Sequence, residues 1–197
     1  MKVIAGLLNL QRANAIGVQH LSVDKIFRHE KYSSKDLVND ITVIKLKTPA
    51  QISNTVYPIC LPKADGSQDP KIGQNVQIAG WGYTSSSMKQ LAVQLQEATI
   101  QILAMTDGLN GRPGCYDWKR NGYLITETNQ VCAMSRDTRT DSCQGDSGGP
   151  LIRMIDSRWY LFGIVSFGDP ICASSMRAGV YTRVSAYSAW IQQKLKL

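Results

Sequence analysis

Short apolar runs divide this chain, and they constrain its fold more than any other feature of the sequence. Each run is a few residues long, is rich in β-branched residues and ends at glycine, proline or Asx turn signals. The clearest runs cover residues 3–10, 18–27, 41–46, 76–79, 159–167 and 180–184. In residues 98–102 apolar and polar side chains alternate, which is the period of a strand with one buried face. The pattern predicts an all-β barrel or sandwich.

Only the end of the chain has helical periodicity. Its apolar residues share one face at helical spacing; they are Tyr187, Trp190, Ile191 and Leu195. Ser185 precedes them and is of a type that often caps a helix N-terminus. The sequence therefore predicts a C-terminal α-helix over residues 185–197.

The charge and the apolar content of the chain argue against two classes of partner, nucleic acid and the membrane interior. The 197 residues carry a net charge of +7, but the basic residues are scattered, and the densest pairs, Lys119/Arg120 and Lys194/Lys196, have no interleaved aromatic residues. A solvated basic surface is therefore favoured over a nucleic-acid site. No apolar run reaches the roughly 18 residues that a membrane span needs. Residues 1–15 partly mimic a signal peptide, but polar residues interrupt them and we favour a strand there.

The decapeptide at residues 141–150, DSCQGDSGGP, places a hydroxyl nucleophile among glycines. A serine in a tight glycine turn can present its hydroxyl to a substrate, and the same turn lets backbone N–H groups approach a carbonyl oxygen. The shorter Gly-Asp-Ser-Gly element alone is also found in plain loops. The full decapeptide is much more specific and favours Ser147 as a nucleophile.

The decapeptide resembles the nucleophile loop of trypsin-like (chymotrypsin-family) serine proteases. Other segments resemble the family in order and separation; they cover residues 39–46, 58–62, 80–82, 166–168 and 179–184. The resemblance implies two packed antiparallel six-stranded Greek-key barrels with the active site between them. It implies one peptidase domain over residues 1–197. Residues 1–62 would form a partial N-terminal barrel and connector, 63–184 mainly the C-terminal barrel, and 185–197 the helix.

The resemblance also implies roles for individual residues. Ser147 matches the nucleophile, and the backbone N–H groups of Gly145 and Ser147 match the oxyanion hole. Asp40 matches the buried carboxylate that orients the catalytic histidine. Without the resemblance, Asp40 would be interpreted as a residue that closes a loop before a strand.

The catalytic histidine of the family has no counterpart. The family carries it in a Thr-Ala-Ala-His-Cys-like motif, whereas the two histidines here, His20 and His29, lie in no such motif. We expect the chain to lack the N-terminal segment that holds the histidine, and to be a very poor protease as written. Asp146 would then also lack the freed α-amino group that pairs with its counterpart in the family.

The resemblance implies a primary pocket for a basic side chain. Asp141 matches the carboxylate at the base of a trypsin-type pocket, which selects Lys or Arg. Ser166, Gly168 and Gly179 match the pocket walls. Ile171 departs from the family's usual glycine at the pocket mouth, and Phe167 replaces the usual tryptophan.

Five cysteines are an odd number, so at least one is unpaired or bonded outside the chain. Their spacing shows no zinc pattern, and we predict no metal and no cofactor. The resemblance implies the disulfides Cys115–Cys132 and Cys143–Cys172. It leaves Cys60 to form a possible disulfide with a missing upstream chain. Disulfides indicate a secreted protein.

The sequence thus predicts a secreted serine endopeptidase that cleaves after Arg or Lys, here in a truncated and inactive form. Its partners would be polypeptide substrates and protein protease inhibitors. The alternative is a non-catalytic protease homologue that acts as a binding or regulatory module. The complete nucleophile loop favours the first hypothesis, and the missing histidine favours the second.

Overall fold

The protein is an antiparallel β structure with a helix at its C-terminal end. The computed structural model describes residues 1–85, 89–105, 115, 118, 122–135, 140–172 and 177–196. The strands are β1 (Lys2–Ala5), β2 (Gln19–Arg28), β3 (Thr42–Leu46), β4 (Asn75–Gly80), β5 (Gln96–Leu103), β6 (Gln130–Met134), β7 (Pro150–Ile155), β8 (Arg158–Phe167) and β9 (Gly179–Arg183). Short 3₁₀ segments cover Leu10–Arg12 and Val184–Tyr187, and the C-terminal helix covers Ser188–Leu195.

The first three strands form a separate antiparallel sheet in the order β1-β2-β3. Val3 pairs with Leu21 across β1 and β2, and Ile26 pairs with Ile44 across β2 and β3. A register shift between Val23 and Lys25 inserts an extra residue into β2, which re-aims its side chains. The sheet has three strands and does not close on itself. An open sheet is what the prediction of an incomplete N-terminal barrel implies.

The other six strands form a closed barrel in the order β4-β5-β6-β9-β8-β7. Pairing of Ile78 with Leu151 across β4 and β7 closes it. Alternate side chains point inward, and Val76, Ile100, Leu151 and Tyr181 are almost wholly buried there. The predicted all-β architecture with a closed six-stranded barrel is confirmed.

Two strands of the barrel were not predicted. All five residues of β6 are buried, so its sequence lacks the polar–apolar alternation that marks a half-exposed strand. Strand β7 begins at Pro150, directly after the glycines of the decapeptide, which obscures its start. The first predicted strand is shorter than expected, because Gly6 adopts a positive φ of 76° and turns the chain after Ala5.

The C-terminal helix lies within the predicted residues 185–197 but begins later, and Leu195 of its predicted apolar face is exposed. It starts at Ser188, and the predicted capping role of Ser185 is wrong: its hydroxyl donates to Asp69 Oδ2 at 2.7 Å. Tyr187 and Ile191 are buried against Ile41, so the helix covers the junction between sheet and barrel.

Polar contacts join the N-terminal sheet and its flanking segments to the remainder of the molecule at several places. Thr182 on β9 donates to the carbonyl of Asp40 at 2.7 Å. Glu30, which follows β2, accepts hydrogen bonds from Trp190 Nε1 at 2.8 Å and Lys194 Nζ at 2.6 Å. Beyond β1, Leu95 donates to the carbonyl of Leu8 at 2.8 Å and Leu10 donates to that of Val93 at 2.9 Å. The sheet is therefore fastened near both its β1 and its β3 ends, and by the helix. In the described ranges, no helix has both the length and the apolar character to cross a bilayer.

Candidate active site

Ser147 lies at the tip of an exposed turn between the barrel strands. Gly145 and Gly148 on either side of it have φ values of 102° and 82°, which residues with a Cβ rarely adopt. A Cβ on Gly145 would also stand 3.1 Å from the Cα of Gly82. The glycines of the decapeptide are therefore required by this backbone, and Ser147 between them is an exposed residue.

A carboxylate beneath the turn holds it in place. Asp146 accepts hydrogen bonds from the N–H groups of Gly82 at 2.8 Å and Cys143 at 2.9 Å. A Cβ on Gly80 or Gly82 would overlap the carboxylate, so the Gly80-Trp81-Gly82 segment needs its glycines to admit Asp146. Charge-assisted bonds of this kind are stronger than neutral ones, and they fix the backbone that carries Ser147.

The N–H groups of Gly145 and Ser147 have no hydrogen-bond partner among the residues that the structure describes. Both belong to exposed residues next to the Ser147 hydroxyl. Unpaired backbone donors at the surface of a tight turn can stabilise an oxyanion.

Strand β8 brings Asp40 towards the nucleophile turn. Gly148 donates to the carbonyl of Val165 at 2.9 Å, and Val165 donates back to Gly149 at 2.9 Å. The next residue on the strand, Ser166, donates its hydroxyl to Asp40 Oδ2 at 2.7 Å. Two consecutive residues of β8 thus join Asp40 to the turn that carries Ser147, although Asp40 and Ser147 are 107 positions apart in the sequence.

Neither histidine belongs to this site. The Nε2 of His20 lies 2.8 Å from the carbonyl of Ala13, in the connection between β1 and β2. The ring of His29 packs on Tyr187 and Trp190 at centroid distances of 5.4 and 5.0 Å. No contact given by the structure joins either ring to Asp40 or Ser147, so these residues have no imidazole base between them.

The residues predicted to form the primary pocket are close to one another. A Cβ on Gly179 would lie 3.4 Å from Asp141 Oδ1, and one on Gly168 would lie 3.8 Å from the Cα of Gly179. Asp141 Oδ1 accepts the N–H of Ser142 at 2.8 Å. Ser166, the other residue predicted for the pocket, donates its hydroxyl to Asp40 and not to Asp141.

Sequence reasoning missed the contribution of Tyr181 to this pocket. Its hydroxyl lies 3.2 Å from Ser142 Oγ and beside Gly179. Burial, followed by the nearby charge of Asp141, raises the pKa of Tyr181, so the phenol stays protonated and available as a donor. The signal in the sequence was a tyrosine within an apolar strand: when such a residue is buried, its hydroxyl needs a polar partner nearby.

A cavity of about 410 Å³ lies behind the nucleophile turn and was not predicted either. It extends from Gly80 and Gly82 to Gln96 and Ala98, and both Asp141 and Asp146 line it. The predicted wall residues Ser166, Gly168 and Gly179 do not line this cavity. The cavity therefore reaches the Asp141 carboxylate from the β4–β5 side of the barrel.

The amino group of Met1 does not pair with Asp146. Met1 precedes β1, where Lys2 pairs with Ser22 in the N-terminal sheet. The two ion pairs in the described part of the chain are Arg183–Asp69 at 2.8 Å and Lys194–Glu30 at 2.6 Å. Asp146 is thus held by backbone N–H groups without a salt bridge in those residues.

The structure contains the two disulfides that the resemblance implies. Cys115–Cys132 and Cys143–Cys172 have Cα–Cα distances of 6.0 and 5.3 Å, and the second ties the nucleophile loop to the segment before β9. Cys60 is a free, half-buried thiol whose backbone pairs with β8. Within the described residues no cluster of three or more His, Cys, Asp or Glu is arranged to hold a metal ion.

The two departures from the family pattern have different surroundings. Phe167 belongs to an aromatic cluster, with ring centroids 5.3 Å from Trp118 and 5.6 Å from Tyr123. Ile171 is 64% exposed. Of the basic pairs noted in the sequence, Lys119 and Arg120 lie outside the described residues.

Comparison with known proteins places this chain in a family. The model of the family described as Trypsin matches residues 1–191. The chain is 34% identical to vitamin K-dependent protein C of Rattus norvegicus over 87% of its own length and 36% of the relative. The protein C of Mus musculus gives the same values, and that of Oryctolagus cuniculus is 34% identical over 89% and 37%. The chain thus spans little more than a third of these relatives. With the match over 191 of its 197 residues, the chain belongs to the trypsin family.

Proposed function

We propose that this chain is the catalytic region of a secreted serine endopeptidase that cleaves polypeptides after Arg or Lys. The observation that carries the proposal is the path from Asp40 through Ser166 and Val165 to the turn of Ser147. This path connects the Asp40 carboxylate, which precedes β3, to the turn that carries Ser147, and a Ser-His-Asp mechanism would need a carboxylate and a nucleophile on the same side of the molecule.

Ser147 would act as the nucleophile. Its oxygen attacks the scissile carbonyl carbon, its proton passes to a base, and the free N–H groups of Gly145 and Ser147 stabilise the resulting oxyanion. The base then returns the proton to the leaving amine, and water hydrolyses the acyl-enzyme by the same route. Asp40 would orient the base.

Asp141 would select the substrate. The carboxylate lies beside Gly179, where a Cβ would stand 3.4 Å from Asp141 Oδ1 and 3.1 Å from the ring of Tyr181. The cationic end of a Lys or Arg side chain would be attracted to this carboxylate, and a neutral side chain would not.

The chain as written is proposed to be inactive, because it offers no imidazole near Ser147. In one studied protease, loss of the nucleophile or the histidine lowers turnover about 10⁶-fold. We expect the purified 197-residue chain to hydrolyse an arginyl or lysyl ester no faster than its Ser147→Ala variant. Hydrolysis at ordinary protease rates would contradict the proposed inactivity.

Two observations test the endopeptidase hypothesis: the coding sequence upstream of Met1, and the reactivity of the protein that the extended coding sequence encodes. We expect an in-frame histidine motif and a product whose Ser147 reacts with a fluorophosphonate probe, while a Ser147→Ala product stays unlabelled. A verified full-length product without labelling would refute the enzyme hypothesis.

The remaining expectations accompany this proposal. The partners would be polypeptide substrates and protein protease inhibitors, and residues 1–62, 63–184 and 185–197 would be parts of one peptidase domain. Cys60, half-buried and free, would bond to an upstream chain. The two disulfides support secretion.

A non-catalytic protease homologue is the second candidate. The contacts of His20 and His29 favour it, because both rings are engaged away from Ser147. Such a protein would keep the pocket at Asp141 for binding but would show no labelling of Ser147 in any natural product.

A further inference from the structure

The two disulfides of the molecule differ in how deeply their cysteines are buried. Cys115 and Cys132 are 0% and 1% exposed and belong to one cluster of buried apolar residues. Cys143 is 8% exposed, whereas its partner Cys172 is only half-buried. Thiol–disulfide exchange requires access of the attacking thiolate to a sulfur atom. A thiol in solution can therefore reach the second disulfide through Cys172, while the first is shielded.

The accessible disulfide is attached to the base of the nucleophile turn. The N–H of Cys143 donates to Asp146 Oδ2 at 2.9 Å, and the N–H of Asp146 donates back to the carbonyl of Cys143 at 2.9 Å. The second carboxylate oxygen of Asp146 accepts the N–H of Gly82 at 2.8 Å. Cys143 thus anchors the turn that carries Ser147, and its bond to Cys172 links this anchor covalently to the segment before β9.

One hydrogen bond joins the same two segments beside the disulfide. Gln144 Nε2 donates to the carbonyl of Pro170 at 3.0 Å, and Gln144 Oε1 lies 3.1 Å and 3.0 Å from the Sγ atoms of Cys143 and Cys172. Both cysteines also line the cavity of about 410 Å³ behind the turn. A neutral hydrogen bond at an exposed residue holds two segments far less firmly than a covalent bond. The attachment of the turn therefore depends on the oxidation state of this pair.

We propose that the Cys143–Cys172 disulfide is a modification site for a dithiol reductant, and that its reduction loosens the nucleophile turn while Cys115–Cys132 stays oxidised. Accessible disulfides are the class from which labile and regulatory ones are drawn. The proposal concerns the conformation of the turn, so it holds whether or not Ser147 acts as a nucleophile.

The reaction is a two-step thiol–disulfide exchange. A thiolate of the dithiol attacks Cys172 Sγ, the bond between the two protein sulfurs breaks, and Cys143 leaves as a thiolate that takes up a proton. The second thiol of the reductant then attacks the reductant's own sulfur in the mixed disulfide. Cys172 leaves as a thiolate and is protonated, and the reductant becomes an internal disulfide. Two electrons and two protons pass from the dithiol to the protein.

Limited treatment of the purified chain with dithiothreitol tests the selectivity. The released thiols are alkylated at successive times and identified by peptide mass spectrometry. We expect Cys143 and Cys172 to become alkylated at least about tenfold faster than Cys115 and Cys132, because only the first pair is accessible. Cys60→Ser is the control, since it removes the free thiol that could itself exchange with a disulfide, and it should leave this ratio unchanged.

Amide hydrogen exchange tests the effect on the turn. The N–H groups of Asp146 and Gly149 are hydrogen-bonded within the turn, at 2.9 Å to Cys143 O and 2.8 Å to Asp146 O. In the selectively reduced chain we expect both to exchange at least about tenfold faster, with no change in β6, which holds Cys132. The double variant Cys143→Ser/Cys172→Ser should show the same faster exchange without any reductant.

Three outcomes would overturn the proposal. Reduction of Cys115–Cys132 at the same rate would show that burial does not separate the two disulfides. Selective reduction with unchanged exchange in the turn would show that the disulfide does not hold it. Loss of the circular dichroism of the whole chain on reduction would show a general requirement for folding and no local control. Where the double variant fails to fold, the dithiothreitol experiment on the wild-type chain still distinguishes these results.

Discussion

The barrel and the N-terminal sheet of this molecule are made from similar strands but bury them to very different degrees. In the barrel, closure removes both edges, and Ile100 is only 1% exposed. In the three-stranded sheet, Ile26 and Ile44 face each other across β2 and β3, yet are 45% and 40% exposed. Closure, more than strand sequence, determines how much apolar surface leaves water.

This difference separates the parts of the candidate site. Ser147, its N–H donors and Asp141 are placed by the barrel, whereas Asp40 precedes the first residue of β3 in the sheet. The positions of Ser147 and Asp141 therefore depend on a closed core. Asp40 depends on a sheet that has unpaired edges.

Two matched isoleucines provide the largest test of the comparison. Ile100→Ala should lower the free energy of unfolding by about 3–4 kcal/mol, because it leaves a cavity in the closed core. Ile44→Ala should cost about 1 kcal/mol, since much of that side chain already contacts water. Urea denaturation followed by circular dichroism measures both. Equal losses would show that the sheet is as well packed as the barrel.

Asn39 tests how the sheet holds Asp40. It has a φ of 56°, its Nδ2 donates to Lys31 O at 2.7 Å, and its Oδ1 accepts from the Tyr187 hydroxyl at 3.0 Å. Burial raises the pKa of Tyr187 to about 12, so the phenol remains a donor. Asn39→Ala loses both bonds and strains the backbone, and should cost about 2–3 kcal/mol.

Asn39→Gly is the control for that variant. Glycine accepts the positive φ, so only the hydrogen bonds are lost and the cost should be about 1–2 kcal/mol. A glycine variant less stable than the alanine variant in urea denaturation would contradict this account of the backbone.

Trp190 tests the contact between sheet and helix. Its Nε1 donates to Glu30 at 2.8 Å, and Trp190→Phe keeps the aromatic packing while removing that donor. We expect a loss of about 1 kcal/mol in thermal or urea unfolding. Trp159→Phe on the barrel surface should cost less, and a larger effect there would overturn the assignment.

The smallest expected effect is the pH dependence of the Glu30 contact. Hydrogen bonds from Lys194 lower the pKa of Glu30 to about 2 from 4.5. Because the folded-state pKa is depressed, the stabilisation is present above about pH 4.5 and is lost as the pH falls towards 2. The NMR signal of the Trp190 indole N–H should shift over this window, and Glu30→Gln should abolish the shift. Salt should weaken the contact, since Glu30 is exposed.

Much of the fold was predictable because short-range signals agreed with it. Strands β2, β4, β8 and β9 lie within a residue or so of the apolar runs. Of the predicted apolar face at the C-terminal end, Tyr187 and Ile191 are buried, whereas Leu195 is 69% exposed. Strand β6 was missed because burial on both faces removes alternation. Ser185 was misassigned because its hydroxyl has a distant acceptor, Asp69, that no local rule identifies.

The sequence by itself determined the presence of the decapeptide, the family to which the chain belongs, and the lack of a histidine in the family's motif. These follow from residue types and their order, which do not depend on coordinates. Only the tertiary structure decided that Ser166 joins Asp40 to the strand beside Ser147, that a cavity reaches Asp141 from behind, and that Ile171 faces solvent. Such facts arise from contacts between residues far apart in the chain, and they depend on how the barrel closes and how the sheet packs against it.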